Sequence, residues 1–207
     1  MSLLARLTEK SWQTPGAGPD IDPDDYRPAA VQVMLYVYCG VAAMIFALMV
    51  MAYLMRMEMH AAMGHGPGDW RAMPEPVLLW VNTGLLAASS LAWEVARRDA
   101  SAAGPGRGGV SARRGVLVGG LLGIAFLGGQ WLLWRHFQAA GYYLSSNPAN
   151  AFFYLLTATH GLHLAGGIVA WLRIAAHPTP LGVRLCATYW HFLLLVWLVL
   201  AGLLLST

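Results

Sequence analysis

Three histidines stand inside otherwise apolar stretches: His160 and His163, three residues apart, and His191 further along. Ionisable side chains at membrane depth are costly and usually functional, so the first chemistry to weigh is haem or copper ligation. A bis-histidine haem needs two helices that offer imidazoles at matching depth. His163 lies ten residues before Arg173, about 15 Å along a helix. His191 lies only about 9 Å, by the same rise, beyond the start of its apolar run. The depths differ, and Gln130, Tyr154 and Thr157 offer hydrogen bonds nearby. The histidines therefore read as packed, hydrogen-bonded structural groups. A second soft-ligand set, Met55, Met57, Met59, His60, Met63 and His65, would suit Cu(I). Met44, Met49 and Met51 continue the same bias into the apolar run, where methionine is a filler, so the default there is a membrane-interface helix end. Glu94 precedes Arg97 and Arg98 by three and four residues, the helical spacing of an ion pair.

Those residues must be held by something, and composition says what. Apolar residues make up 57% of the 207 and charged ones only 11%, which places the chain among membrane proteins. Five runs reach the roughly 20 mainly apolar residues that a helix needs to cross hydrocarbon. They are residues 30–54, 76–96, 115–134, 151–172 and 185–205. The expected fold is an all-α membrane protein, a bundle of five transmembrane helices over 30–207. Residues 1–29 are polar and proline-punctuated, an arm without the apolar core of a signal peptide. The two cysteines, Cys39 and Cys186, form no CxxC or CxxCH pattern and read as small apolar side chains. The net charge of +3 comes from arginines in loops between apolar runs, which gives no sign of nucleic-acid binding.

Arginine placement gives an orientation. The arm carries Arg6, Lys10 and Arg27; the loop after the second run carries Arg97, Arg98, Arg107, Arg113 and Arg114; the loop after the fourth carries Arg173 and Arg184. The opposite side has Arg56, Arg71 and Arg135. Cytoplasmic loops are the basic ones, so the N-terminus is expected in the cytoplasm and the C-terminus in the periplasm. Trp70, Trp80, Trp131, Trp134, Tyr142 and Tyr143 then fall near the outer interface. Helices in lipid pack through small residues and polar contacts. Gly119 and Gly123 in the third run, and Thr157, Gly161 and Ala165 in the fourth, are spaced for close packing.

Four successive runs carry motifs in an order that resembles one family. PVLLWVNTGLLAASSLAWEVA places Asn82-Thr83 before Ser89-Ser90, and GIAFLGGQWLLW holds Gly123, Phe126 and Gln130. FFYLLTATHGLHLAGG holds Phe153, Tyr154, His160, His163 and Gly166; Tyr189-Trp190-His191-Phe192 follows, with Trp197 after it. Together these resemble subunit III of haem-copper respiratory oxidases (the cytochrome c oxidase subunit 3 family) over about residues 30–206, in its five-helix form. The resemblance implies a non-catalytic subunit of a complex that passes electrons to oxygen with proton translocation. It further implies contact with subunit I above all, with subunit II in the same complex, bound phospholipid, support of proton uptake, and residence in a bacterial inner membrane. Haems and copper would belong to the partner subunits. Asn82, Glu94, Gln130, Tyr154, Thr157, His160, His163 and His191 would be structural polar residues, and Gly119, Gly123, Gly161 and Ala165 helix-packing ones. Two carboxylates common in the family are absent, since Ala42 and Leu193-Leu194-Leu195 stand where they are expected. An accessory subunit of a nitric oxide reductase or quinol oxidase, or a haem-b anchor using His163 and His191, are the alternatives.

Overall fold

A computed structural model describes residues 30–62, 77–102 and 110–206, with the side chains of 60–62 left aside. Two compact units divide the chain, Met1–Met34 and Leu35–Thr207. Of the first, only the opening of one helix, Ala30–Met34, lies among the described residues; the polar arm expected over 1–29 lies outside them. Five helices make up the described residues, with no strand among them: α1 Ala30–Ala62, α2 Val77–Ala102, α3 Val110–Ala139, α4 Pro148–Ala176 and α5 Pro180–Ser206. Each runs past the apolar stretch read from the sequence, because alanine, arginine and methionine at the margins are good helix formers even where they are not hydrocarbon-like. Four of the five are long and apolar enough to cross a membrane: α1, α3, α4 and α5. The remaining one, α2, carries Glu94, Arg97, Arg98 and Asp99 in its last third.

The ends of the later helices are written in the local sequence. Asn147 caps α4, its side chain accepting from the Ala149 N–H at 2.9 Å, and Pro148 occupies the first helical position where no N–H is needed. α4 stops at Arg173 to Ala176 ahead of Pro178, and Thr179 then caps α5, accepting from Gly182 N–H at 3.1 Å. The turn after α3 uses Gly141 at φ 88°, a conformation that a side chain would strain.

The glycines of α3 receive rings from three neighbouring helices. A Cβ on Gly119 would meet the Trp93 indole of α2, one on Gly120 would overlap Trp171 of α4, and one on Gly123 would press on Trp190 of α5. Gly129 lies against the Asn82 carboxamide, and Gly115 against Ala96 and the Ala92 carbonyl. Buried residues of α2 recur at Leu79, Asn82, Leu86, Ser89, Trp93, Ala96 and Ala100, one narrow stripe three and four residues apart. Without a solvent to expel apolar surface, this fit of large against absent side chains is what brings the helices close.

Helix α1 is attached differently. Among its described side chains only Ala42, Phe46 and Tyr53 are buried, while Met34, Val37, Val41, Met44, Leu48, Met51 and Met55 are exposed. Its contacts run through long side chains: Phe46 and Tyr53 cluster with Leu156 of α4 and with Val196 and Leu200 of α5. Between α1 and α5 a wholly apolar groove of about 350 Å³ is lined by Phe46, Ala47, Val50, Phe192, Val196 and Leu200, among others. Of the methionine-histidine set, Met63 and His65 lie outside the described residues; α1 stays helical through Ala62, with Met55 and Met59 exposed.

Candidate functional site

The polar residues within the helices fall into three groups. Toward the charged end of α2, Glu94 is the hub. Its carboxylate accepts from Arg97 (Nε 2.8 Å, Nη2 2.7 Å) and from Arg98 Nε at 2.8 Å. His191 of α5 reaches the same carboxylate with Nε2 at 3.3 Å, while its Nδ1 shares a hydrogen bond with Ser90 Oγ. One turn away, Ser89 Oγ donates to the Gly119 carbonyl at 2.6 Å and accepts from Trp190 Nε1–H at 2.8 Å. A serine on α2 thereby ties α3 and α5 together. The ends of α2 and α3 are joined again by a hydrogen bond from Ser111 to Asp99.

A second group lies where α1 meets α4 and α5. His163 Nδ1–H donates to the Thr159 carbonyl at 2.8 Å, so its other ring nitrogen is the unprotonated one when the ring is neutral. The ring faces Phe46 and Tyr38 of α1, with centroids 5.2 and 6.1 Å away. Tyr189 of α5 donates to the His163 carbonyl at 2.9 Å and packs on Tyr38. His163 thus turns toward α1 and His191 toward α2, so the two imidazoles suggested for a shared haem are directed to different neighbours. Among the described residues no group of three or more His, Cys, Asp or Glu side chains is arranged to hold a metal ion.

The third group forms a layer across the middle of the bundle. Trp197 of α5 donates to Thr83 Oγ1 at 3.0 Å, and Thr83 in turn donates to the Leu79 carbonyl at 2.8 Å. The Trp197 ring lies 5.2 Å from His160 and 4.9 Å from Phe126 of α3. His160 is fully buried, boxed by Phe126, Trp197 and Phe46. Here the structure corrects an expectation. Tyr154 and Thr157, read as hydrogen-bond partners for the histidines, are engaged elsewhere. Tyr154 OH donates to the Tyr142 carbonyl at 2.9 Å. Thr157 Oγ1 donates back to the Phe153 carbonyl at 2.7 Å, the habit of a threonine within a helix, and accepts from Trp134 Nε1–H at 3.1 Å. His160 has no hydrogen-bond partner among the described residues, nor does the carboxamide of Asn82 or Gln130.

Of the packing residues, Gly119 and Gly123 face the chain's own indoles, Gly161 is half-buried with Leu127 as its nearest neighbour, and Ala165 is exposed. The sequence alone did not single out Trp93 and Trp171, nor say what Trp190 and Trp197 pack against. Trp93, Trp190 and Trp197 are fully buried, and Trp171 donates to the Val116 carbonyl at 2.8 Å. Their signal was present as glycine on one helix and tryptophan on others, but matching them requires knowing which helices are neighbours.

No family model matches the chain. Among curated proteins it is similar to the probable cytochrome c oxidase subunit 3 of Mycobacterium tuberculosis, 28% identical over 186 residues that cover 84% of this chain and 86% of that protein. It is equally similar to the probable cytochrome c oxidase subunit 3 of Nocardia farcinica, at 28% over 83% of this chain and 85% of the relative. A shorter match, 33% identical over 88 residues, is to cytochrome c oxidase subunit 3 of Synechocystis sp., covering 38% of this chain and 36% of that one.

Proposed function

We propose that this chain, an integral membrane protein homologous to cytochrome c oxidase subunit 3, is the non-catalytic third subunit of a haem-copper terminal oxidase in a bacterial inner membrane. One observation carries the reading: similarity to proteins of that name extends over 84% of the chain and 86% of the relative, rather than over a single motif. The geometry agrees in kind. Asn82, Thr83, Ser89, Ser90, His163 and His191 lie between helices of this same chain, where polar groups serve to fix helix packing.

In this reading all five helices span the bilayer, α2 included, with its Glu94–Arg97–Arg98 group at the cytoplasmic edge. The N-terminus is cytoplasmic and the C-terminus periplasmic. Subunit I, with subunit II in the same complex, supplies the haems and copper. It covers outward surfaces such as the exposed apolar face of α1 and the small residues Gly161 and Ala165 on α4. Phospholipid acyl chains suit the apolar groove between α1 and α5. The chain then supports turnover and proton uptake by holding subunit I and lipid in place.

Co-purification under mild detergent, followed by mass spectrometry, tests this. A haem-copper subunit I and a copper-bearing subunit II should accompany the tagged chain. Recovery with a nitric oxide reductase catalytic subunit, or with no haem protein, would overturn it. Removing the chain should leave the optical spectrum of the remaining complex unchanged while sustained oxygen consumption falls; loss of a haem band would favour the anchor reading. For the orientation, a cysteine near Gly104 should resist an impermeant thiol reagent in intact cells and one near Ser146 should react, and the reverse pattern would refute it.

A further inference from the structure

We infer that the mid-bundle layer of Asn82, Gln130 and His160 is a binding site for internal water, held between α2, α3 and α4. The three side chains are 0%, 5% and 0% exposed, and all six of their side-chain nitrogen and oxygen atoms lack a hydrogen-bond partner among the described residues. Buried polar atoms in folded proteins are nearly always paired, to protein or to ordered water, and in hydrocarbon surroundings no lipid chain can substitute. Asn, Gln and neutral His each offer both donor and acceptor capacity, which is what a bridging water requires.

The three belong to one level of the bundle. Asn82 lies against Gly129, the residue beside Gln130. Asn82 is also beside Thr83, which holds the Trp197 indole, and that indole packs on His160. Gln130 looks across to α4 at Thr157 and Gly161, either side of His160 in sequence, where the two helices leave a groove of about 190 Å³. A water takes about 30 Å³ of liquid volume and makes about three hydrogen bonds, and the groove that Gln130 lines lies beside the layer. Six polar atoms at one level call for about two or three such waters. Phe46, Phe126 and Trp197 pack around His160, whose imidazole has no acceptor or donor partner among the described residues.

The test uses the full chain in the complex that purifies with it. A density map fine enough to show ordered water should hold water within hydrogen-bond distance of the Gln130 carboxamide, and at least one further water joining two of the three side chains. Direct pairing of Asn82 with Gln130, or a side chain of another subunit seated against them, would overturn the inference. An independent arm compares Asn82→Leu, Gln130→Met and His160→Phe, singly and together, by thermal midpoint. Shared waters couple the three sites, so the triple variant should lose clearly less than the sum of the single losses. Strictly additive losses would mean that no water links them, and would overturn the inference even if each variant folds. Infrared bands that shift in H₂¹⁸O and vanish in the triple variant are the expected signature; bands unaltered by the three substitutions would count against it.

Discussion

Helix α1 and the α2–α5 group are built from the same kinds of residue and are held in opposite ways. Around α3, backbones come close because glycine meets indole, and the indole N–H groups of Trp171, Trp190 and Trp197 then find carbonyls and hydroxyls on neighbouring helices. Along α1, Phe46 and Tyr53 reach α4 and α5 through rings, Leu35, Cys39, Met49, Val50 and Leu54 are half-buried beside them, and much of the rest is exposed apolar side chain. Burial of apolar surface gains nothing in lipid, where the alternative neighbour is as apolar as leucine. The difference therefore lies in packing fit: around α3 glycine meets indole and backbones come close, whereas α1 meets α4 and α5 through long side chains. In such a protein the loosely held helix is the place where a partner or lipid contributes most.

The sharpest way to break this comparison is to fill a socket. Gly120→Val puts a branched side chain where the Trp171 ring already lies, while Gly128→Val, two turns along the same helix, meets open space, as does Gly40→Val on α1. Overpacking a close helix contact costs about 3 kcal/mol. Thermal unfolding in detergent should therefore fall steeply for Gly120→Val alone, with the two control variants near wild type. Equal behaviour of the three would show that α3 is not packed as described.

Removing a hydrogen bond should do less. Trp190→Phe keeps a ring over Gly123 but takes away the N–H donated to Ser89, costing about 1–2 kcal/mol if the hydroxyl is left short of a partner. Its midpoint should lie between those of Gly120→Val and wild type. Phe46→Ala on α1 removes a buried ring, yet the transfer part of the usual Phe→Ala penalty largely disappears in lipid, leaving about 1 kcal/mol of lost packing and polar contact. Its readout is different in kind. α1 should become more accessible to protease in detergent and the chain should be recovered with its partners at lower yield, while the α2–α5 core melts almost unchanged. A core collapse on Phe46→Ala would mean that α1 is as integral as the rest.

The parts that local spacing can dictate were legible before any coordinates. Helices over all five apolar runs, the Glu94–Arg97–Arg98 group and the close-packing glycines Gly119 and Gly123 each depend on residues within two turns of one another. What stayed hidden depends on which helix lies beside which. Gly120 falls off the stripe through Gly119 and Gly123, and its role appears only with Trp171 placed 51 residues away. Ser90 with His191 and Thr83 with Trp197 are likewise more than a hundred residues apart. The partners expected for His160 were chosen by nearness in sequence. Thr157 was instead drawn to its own helix carbonyl and to Trp134, and Tyr154 to the loop before α4. A polar residue in a helix has local choices that spacing arguments overlook.

The smallest effect is expected at the charged end of α2, and it separates the two modes of attachment once more. Glu94 binds two guanidinium groups that are themselves well exposed, with side-chain exposures of 40% for Arg97 and 75% for Arg98. Exposed ion pairs contribute little and are screened by salt. Glu94→Gln retains an acceptor for Arg97 and leaves His191 tied to Ser90, so the α2–α5 contact survives the loss of charge. The midpoint should drop by less than in any variant above, and raising the salt concentration should erase most of the difference. The double variant Glu94→Leu with Ser90→Ala then removes both side-chain partners of the His191 ring, and the imidazole loses its hold on α2. Its loss should exceed the sum of the two single ones, because either contact alone is enough to keep the ring in place. If Glu94→Gln by itself proved as damaging as Trp190→Phe, and insensitive to salt, the carboxylate would have to be a buried anchor of the bundle rather than a group at its edge.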